Sequence, residues 1–304
     1  MILWIGITDE DWFRFLCRRP ELDEVNFWQP SGKPPIHLAQ GAPFLFKLHS
    51  PKNYIVGGGF FAAWSVLPAS LVWETFEQQN GAATFEEMAE RIRKYRPQSA
   101  DELDPQVGCN VIVQPFFLDE VDWIPVPPSF SLHSQRGKSY DTSTGEGAQL
   151  WERVQSLLRV LEPSSVAEER APMFGEPTLI RPRLGQGSFR VLITDTYHRR
   201  CAITGERALP VLEAAHIRPV NTGGQHRIDN GLLLRSDLHR LFDRGYVTVT
   251  PDYRIEVSRR LKDEFENGEP YYPYAGKTIW LPEGSDLRPR QEFLEWHADT
   301  VFRG

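Results

Sequence analysis

A histidine and an aspartate lie four residues apart in the segment NGLLLRSDLHRLFDRG, which spans residues 230–245. The apolar run at its start predicts a strand, and the residues from Ser236 onward predict a short helix that ends at Gly245. Side chains at positions i and i+4 of a helix project from the same face. His239 and Asp243 would therefore present an imidazole and a carboxylate together, and such a pair can hold a divalent cation.

Two further residues fall on the elements that precede this helix. The segment PVLEAAHIRPV (210–220) predicts a strand that ends near His216, and GLLLR (231–235) predicts a second strand that opens at Asn230. The two strands and the helix make a ββα unit. We expect His216 to take a proton from water as a general base. We expect Asn230 to accept a hydrogen bond from the His216 ring, which would fix its tautomer, and to tie the loop.

A cation on this unit would stabilise the leaving oxygen and the pentavalent phosphate of a phosphodiester. Each residue taken singly also fits an ordinary role, as a core histidine, a helix-surface histidine or a helical acid. Only the joint pattern of these residues indicates a catalytic site.

Three motifs resemble the HNH endonuclease family, in its subgroup with an Ala-His-Ile core: CAITG (201–205), EAAHIRP (213–219) and NGLLLRSDLHRLFDRG (230–245). The resemblance covers roughly residues 190–260 and implies a ββα-metal nuclease fold. It also implies a divalent cation, with Mg²⁺ expected and Mn²⁺ or another ion as the alternative. By the family's roles the general base would be His216, the orienting residue Asn230, and the metal ligands His239 and Asp243.

The chain departs from the family pattern at two places. Many members have a His or Asp ligand just before the base, where this chain has Ala215. Glu213 shares the strand parity of that position, so it would replace the ligand only if the strand bends or slips. Otherwise water fills the shell. Many members also hold a structural zinc on CxxC pairs, whereas Cys201 is followed at that spacing by Thr204, so we expect no structural zinc.

Charge is distributed unevenly along the chain. The net charge is −7, yet residues 181–262 hold fifteen Arg and Lys against eight Asp and Glu. A basic segment on an acidic chain indicates a nucleic-acid partner, although an ordinary solvated face is the alternative. We expect double-stranded DNA, and each candidate phosphate contact is equally explained as a solvated charge. These candidates are Arg199, Arg200, Arg218 and Arg240.

The patterns predict an α+β protein of two domains, at residues 1–161 and 189–304, joined by a linker at 162–188 rich in Pro, Gly and charge. The first domain contains β-rich, aromatic segments at 43–50, 54–67 and 108–119, and an amphipathic helix at 85–96 with Thr84 as N-cap. The last predicted helix, at 289–302, would pack back on the second domain.

The first domain resembles the PUA-like superfamily, near its EVE and ASCH branches, in the segments 25–32, 54–68, 73–88 and 137–151. The resemblance implies a small β-barrel with flanking helices that holds a modified base in a pocket. Such reading requires a flipped base that stacks on aromatic faces, although barrel aromatics are mostly core. The candidate pocket residues are Trp28, Trp64, Asn26 and Ser31.

Together these patterns predict a modification-dependent DNA endonuclease that recognises 5-methyl- or 5-hydroxymethylcytosine and restricts foreign DNA. Cutting both strands needs two active sites, so we expect a homodimer. One alternative is a nuclease or nickase on unmodified DNA whose first domain is structural. The other is a catalytically inactive DNA-modification reader.

Composition favours a cytoplasmic protein with no membrane partner. Three scattered cysteines, Cys17, Cys109 and Cys201, build no disulfide framework. No apolar run approaches the roughly 20 residues of a membrane span, and the acidic start lacks the basic leader of a signal peptide.

Overall fold

The structure is a computed structural model of the 304-residue chain. It describes residues 1–30, 38–96, 102–131, 134, 137–161 and 184–304. The chain divides into two compact units, Met1–Arg183 and Leu184–Gly304. Ser31 and residues 162–183 of the predicted linker lie outside the described residues.

The first unit is built on one mixed sheet. Its strands are β1 (Ile2–Thr8), β2 (Glu24–Gln29), β3 (Pro43–Leu48), β4 (Tyr54–Pro68), β5 (Gln106–Phe117), β6 (Ile124–Pro125) and β7 (Lys138–Asp141). Their order is β2-β5-β4-β3-β1-β7, with β6 paired to β4. The β1–β3 pair is parallel and the other pairs are antiparallel.

The predicted closed barrel is not confirmed. A barrel requires its first and last strands to pair with each other. Within the described part of the chain the path begins at β2 and ends at β7, and these two strands do not pair. The sheet is therefore open, in a mixed α+β unit.

Both faces of this sheet are buried, which explains its nearly continuous apolar strands. Alternate residues of a strand point to opposite faces. In β3, Phe44 and Phe46 join an aromatic core with Trp12 and Phe27, whereas Leu45 belongs to a second core. All six residues of β3 are buried as a result.

Four helices accompany the sheet: α1 (Glu10–Leu16), α2 (Ala69–Phe76), α3 (Phe85–Tyr95) and α4 (Gly145–Leu161). The predicted N-cap of α3 is confirmed, because the Thr84 hydroxyl accepts from the Glu87 backbone N–H at 3.3 Å. Met88 and Ile92 are buried, in agreement with the predicted amphipathic helix. Tyr95 is 41 % exposed at the end of the helix.

The second unit contains the elements of the predicted ββα unit and the helices around it. These are α5 (Gln186–Thr196), β8 (Leu212–His216), β9 (Gly231–Arg235), α6 (Ser236–Asp243), β10 (Val247–Val249), β11 (Ile255–Val257), α7 (Arg260–Phe265) and α8 (Gln291–Thr300). Helix α5 begins inside the predicted linker. The Gly185 N–H donates to the Ser188 hydroxyl at 3.3 Å, and Ser188 is buried. The helix therefore starts before Phe189, the first residue of the predicted second domain.

The C-terminal helix α8 packs back on this unit, as predicted. The His297 ring stacks on Phe242 of α6 with 3.6 Å between ring centroids, and it bonds to the Thr248 hydroxyl at 2.8 Å. Gly245 has a φ of +75° and lies against the residue that follows α8. A Cβ at this position would lie 2.0 Å from the carbonyl oxygen of Val301. Among the described residues, no helix has the length and apolarity to cross a bilayer.

Candidate active site

The hairpin formed by β8 and β9 carries the predicted base. The register is continuous from Leu212 opposite Arg235 to His216 opposite Gly231. Residues opposite each other in an antiparallel pair lie on the same face, and neighbours along a strand alternate. His216 and Gly231 therefore share one face, and Glu213 lies on the other.

Helix α5 covers the His216 face. The Phe189 ring stacks on the His216 ring, with 3.9 Å between centroids and 10° between planes. Gly231 permits this close approach, because a Cβ there would lie 2.3 Å from Ile193 Cδ1 and 2.9 Å from Phe189 Cζ. A glycine opposite the base thus lets an aromatic ring fix the plane of the imidazole.

His216 is held neutral in this position. Burial, and to a lesser degree the charges of the His226 and His239 rings, lowers the pKa of His216 from 6.5 to about 4. Its Nε2 lies 3.0 Å from Nδ1 of His226. A ring that is unprotonated at neutral pH retains a lone pair, as a general base requires.

Asn230 does not have the predicted contact with the His216 ring. Its Oδ1 accepts from the backbone N–H of Arg218 at 2.9 Å, and its Nδ2 donates to the carbonyl oxygens of Arg218 at 2.9 Å and Gln225 at 3.0 Å. The side chain is fully buried. Asn230 therefore ties the loop between the strands, which is one of the two roles expected, and leaves the His216 ring to another partner.

The predicted metal ligands lie on α6, where the His239 ring contacts Glu213 of β8. His239 Nε2 is 3.4 Å from Asp243 Oδ2, and His239 Nδ1 is 2.7 Å from Glu213 Oε2. Glu213 reaches His239 without a slip of the strand. Ala215, the position where relatives carry a ligand, is fully buried in the core.

This donor set fits a divalent cation held by two side chains. Metal-binding histidines commonly donate their second ring N–H to a carboxylate, and Glu213 is placed to accept that bond from His239. Nε2 then faces Asp243; carboxylate oxygen suits Mg²⁺ or Mn²⁺, and imidazole nitrogen suits transition metals such as Zn²⁺, Fe²⁺ or Ni²⁺. Burial raises the pKa of Asp243; His239 opposes this and Glu213 adds to it. Within the described ranges no group of three or more His, Cys, Asp or Glu could hold a metal ion.

Cys201, the start of the motif that carries structural zinc in many relatives, has main-chain partners. Its Sγ accepts from the backbone N–H groups of Thr204 at 3.4 Å and Arg235 at 3.3 Å. The thiol is fully buried and links the turn after α5 to the end of β9.

The four candidate arginines are not gathered into one patch. Arg218 lies in the loop tied by Asn230, with Nε donating to the carbonyl of Thr222 at 2.9 Å. Arg240 lines a cavity of about 240 Å³ beside Arg244 and Tyr271. Arg199 and Arg200 follow the C-terminal end of α5, which ends at Thr196.

Of the candidate base-pocket residues, the structure brings Trp28 and Asn26 together but not Trp64. Asn26 Nδ2 donates to Asn80 Oδ1 at 2.9 Å, and Trp28 Nε1 donates to the Asn80 carbonyl at 3.0 Å. Trp28 pairs with Cys109 of β5 and Trp64 with the next residue, Asn110, so the two indoles project from opposite faces of the sheet.

Buried polar atoms without a described partner lie near Trp64. They are Trp64 Nε1 and Asn110 Oδ1, in a cross-strand pair, together with Asn26 Oδ1 and Trp4 Nε1 elsewhere in the sheet. Asn26 and Asn110 are fully buried. Buried polar atoms are normally satisfied, so these positions require a partner such as water or a ligand.

Sequence patterns alone did not reveal two residues of the site, Phe189 and His226. Neither residue is among the candidates named from the sequence. The available signal was Gly231, since a strand glycine indicates close approach of another group. Nothing in the spacing of His226 indicated that it meets His216.

Comparison with known proteins finds a family match within the second unit. Residues 201–250 match the HNH endonuclease family model. No curated protein matches the chain.

Solved structures with similarity to the chain include an ASCH protein from Zymomonas mobilis. It is 13 % identical, with a TM-score of 0.32, over 51 % of this chain and 94 % of that chain. A point mutant of the same protein is 12 % identical with a TM-score of 0.31, over 51 % and 97 %.

A third similar structure is the modification-dependent TagI restriction endonuclease. It is 13 % identical with a TM-score of 0.30, over 92 % of this chain and 75 % of that chain. The sequence motifs and the family match agree on the segment that includes the hairpin and α6. Residues 201–250 of this chain are therefore an HNH endonuclease domain.

Proposed function

We propose that the protein is a metal-dependent DNA endonuclease that hydrolyses phosphodiesters when a modified cytosine is present. The observation that carries the nuclease assignment is the neutral, stacked His216, on which the ring of His239, the neighbour of Asp243 on α6, also acts electrostatically. The role in restriction of foreign DNA follows from the proposed specificity.

The chemistry of the chain's own groups begins with His216. Its ring takes a proton from a water molecule, and the resulting hydroxide attacks phosphorus. Phe189 fixes the ring plane, and partial burial keeps the ring unprotonated until the water arrives. The products carry 3′-hydroxyl and 5′-phosphate ends.

His239 and Asp243 would hold the divalent cation, with Glu213 orienting the His239 ring. When bound, the cation supplies charge stabilisation to the phosphate and the leaving oxygen. Mg²⁺ is the expected ion. Because the chain offers this ion only two side-chain ligands in our proposal, water and the phosphate complete its shell.

DNA would bind through the basic segment, and its phosphates would contact the arginines nearest the site. Arg218 follows the base by two residues, and Arg240 follows His239 directly. Arg199 and Arg200 would contact more distant phosphates. A homodimer would supply the second active site that a double-strand cut needs.

The first unit would read the modified base. Trp64 supports this proposal better than Trp28, because its buried indole N–H has no partner among the described residues and Asn110 offers an unpartnered carbonyl beside it. A flipped base presents donors and acceptors of this kind. Asn26 has a comparable unpartnered Oδ1, while Trp28 already donates to Asn80.

A substrate panel tests the function. Plasmid and linear DNA that are unmodified, 5-methylated or 5-hydroxymethylated would be incubated with Mg²⁺, Mn²⁺ or EDTA. We expect metal-dependent cutting of modified DNA. Equal cutting of all three DNAs would refute the reader and favour a nuclease on unmodified DNA, and binding of modified DNA without cutting would favour an inactive reader.

Matched variants assign the residues. His216→Asn should lower the cleavage rate about 10²- to 10⁴-fold, and Asp243→Asn should abolish metal-dependent cleavage. Their controls, His198→Asn and Asp286→Asn, make the same changes at exposed positions and should cut like the wild type. Wild-type cleavage by His216→Asn would show that another group is the base.

A further inference from the structure

The His216 ring has a partner that its sequence pattern did not indicate. His226 Nδ1 lies 3.0 Å from His216 Nε2, and the two rings meet edge to face at 66° with 4.9 Å between centroids. Phe189 contacts both rings, at 3.9 Å from His216 and 5.8 Å from His226. The pair is therefore packed as well as hydrogen-bonded.

This contact restricts which nitrogen of His216 can act. Nε2 is engaged by His226, so Nδ1 is the nitrogen left for water. For Nδ1 to carry the lone pair in a neutral ring, the ring proton must sit on Nε2. His216 Nε2–H then donates and His226 Nδ1 accepts, which places the ring proton of a neutral His226 on its Nε2.

We propose that His226 is the positioning residue of the general base: it accepts from His216 Nε2–H and fixes the tautomer with a free Nδ1. The inference rests on the nuclease function proposed above. His226 thereby takes the orienting role that the sequence pattern assigned to Asn230, whose amide bonds to the loop instead.

The proton balance is complete with water as the only co-reactant. One O–H bond of water breaks, its proton goes to His216 Nδ1, and the hydroxide oxygen forms a bond to phosphorus. The bond from phosphorus to the 3′ oxygen breaks, and solvent protonates that oxygen. His216 is then an imidazolium whose Nε2–H points to His226, and it returns its Nδ1 proton to solvent.

The test is a double-mutant cycle in the full chain. Cleavage by the wild type, His226→Ala, His216→Asn and the double variant is measured as kcat, KM and pH profile. Since a general base contributes about 10²- to 10⁴-fold, loss of its alignment in His226→Ala should lower kcat on the order of 10- to 100-fold with little change in KM. His226→Ala should have no further effect in the His216→Asn background.

A conservative variant separates orientation from folding. In His226→Asn the amide oxygen occupies the position of Nδ1, so it can still accept from His216 Nε2–H. We expect it to recover most of the activity lost in His226→Ala. The acidic limb of the pH profile should move to higher pH in His226→Ala, because His226 and His239 are the charged groups that lower the pKa of His216. A purely structural defect would lower kcat by the same factor at every pH.

Three results would overturn the proposal. One is a wild-type kcat in a folded His226→Ala variant while His216→Asn is inactive. The second is an equal loss in His226→Asn and His226→Ala. The third is a ¹⁵N spectrum of histidine-labelled protein that shows His216 as the Nδ1–H tautomer. Full activity of His216→Asn would instead refute the nuclease assignment on which the inference rests.

Discussion

Replacing Asn230 by alanine should release the loop that joins the two strands of the hairpin. The fully buried amide makes three hydrogen bonds of 2.9, 2.9 and 3.0 Å to the main chain of Arg218 and Gln225. No described bond joins it to the His216 ring. The expected defect is therefore in loop order first and in catalysis second.

The magnitude follows from these three bonds. An intramolecular hydrogen bond contributes about 1 kcal/mol net, so their loss costs about 3 kcal/mol, or roughly 100-fold in the opening equilibrium of the loop. Asn221→Ala is the matched control, since Asn221 is an exposed asparagine of the same loop. It should leave the opening equilibrium unchanged.

Hydrogen–deuterium exchange of the full chain, followed by mass spectrometry, measures this opening. Peptides that cover 217–230 should exchange roughly 100-fold faster in Asn230→Ala and at the wild-type rate in Asn221→Ala. Peptides that cover β10 and β11 should be unaffected in both. If an Asn230→Ala variant that has lost cleavage kept wild-type protection of its amides from exchange, the structural role would be refuted. Asn230 would then act in the reaction itself.

Four other predictions concern the metal pair, the base and the reader. Glu213→Gln should weaken Mn²⁺ binding about 10- to 100-fold by calorimetry, because it removes the carboxylate that orients His239; unchanged affinity would contradict this. Since the folded pKa of His216 is about 4, cleavage should persist below pH 6.5, and an acidic limb at 6.5 would count against the base. Between pH 6.5 and about 4 the unfolded chain binds more protons at His216 than the folded chain does. The contribution of His216 to stability therefore falls as pH falls through that window. The urea midpoint should accordingly depend less on pH in His216→Asn. Trp64→Phe should reduce discrimination between modified and plain DNA more than Trp28→Phe does; equal effects would remove Trp64 from the pocket.

The sequence was most informative where local patterns decide the structure. The apolar run before Ser236 and the glycine at 245 located β9 and α6, and Thr84 located the start of α3. These signals depend on residues a few positions apart, through caps, turns and the period of side chains. The joint spacing of His216, His239 and Asp243 was readable for the same reason.

Contacts that depend on tertiary packing could not be read in this way. Closure of a sheet depends on strands far apart in sequence, and β2 and β7 do not pair. The partner of an amide such as Asn230 depends on how the loop folds over it. The contact of His226 with His216 also depends on packing, because the distance between the two rings is set by the turn of residues 217–230 and by the ring of Phe189.

The pleat of β8 explains why the two groups of candidate residues have different neighbours. His216 and Glu213 are three residues apart, an odd number, so they point to opposite faces of one strand. His216 meets Phe189 of α5, and Glu213 meets His239 of α6. The base and the metal pair thus have separate supports, one in α5 and the loop and the other in α6. Phe189 and Glu213 can then be changed one at a time, and the pH profile of cleavage and the metal affinity are the measurements that report on these two supports.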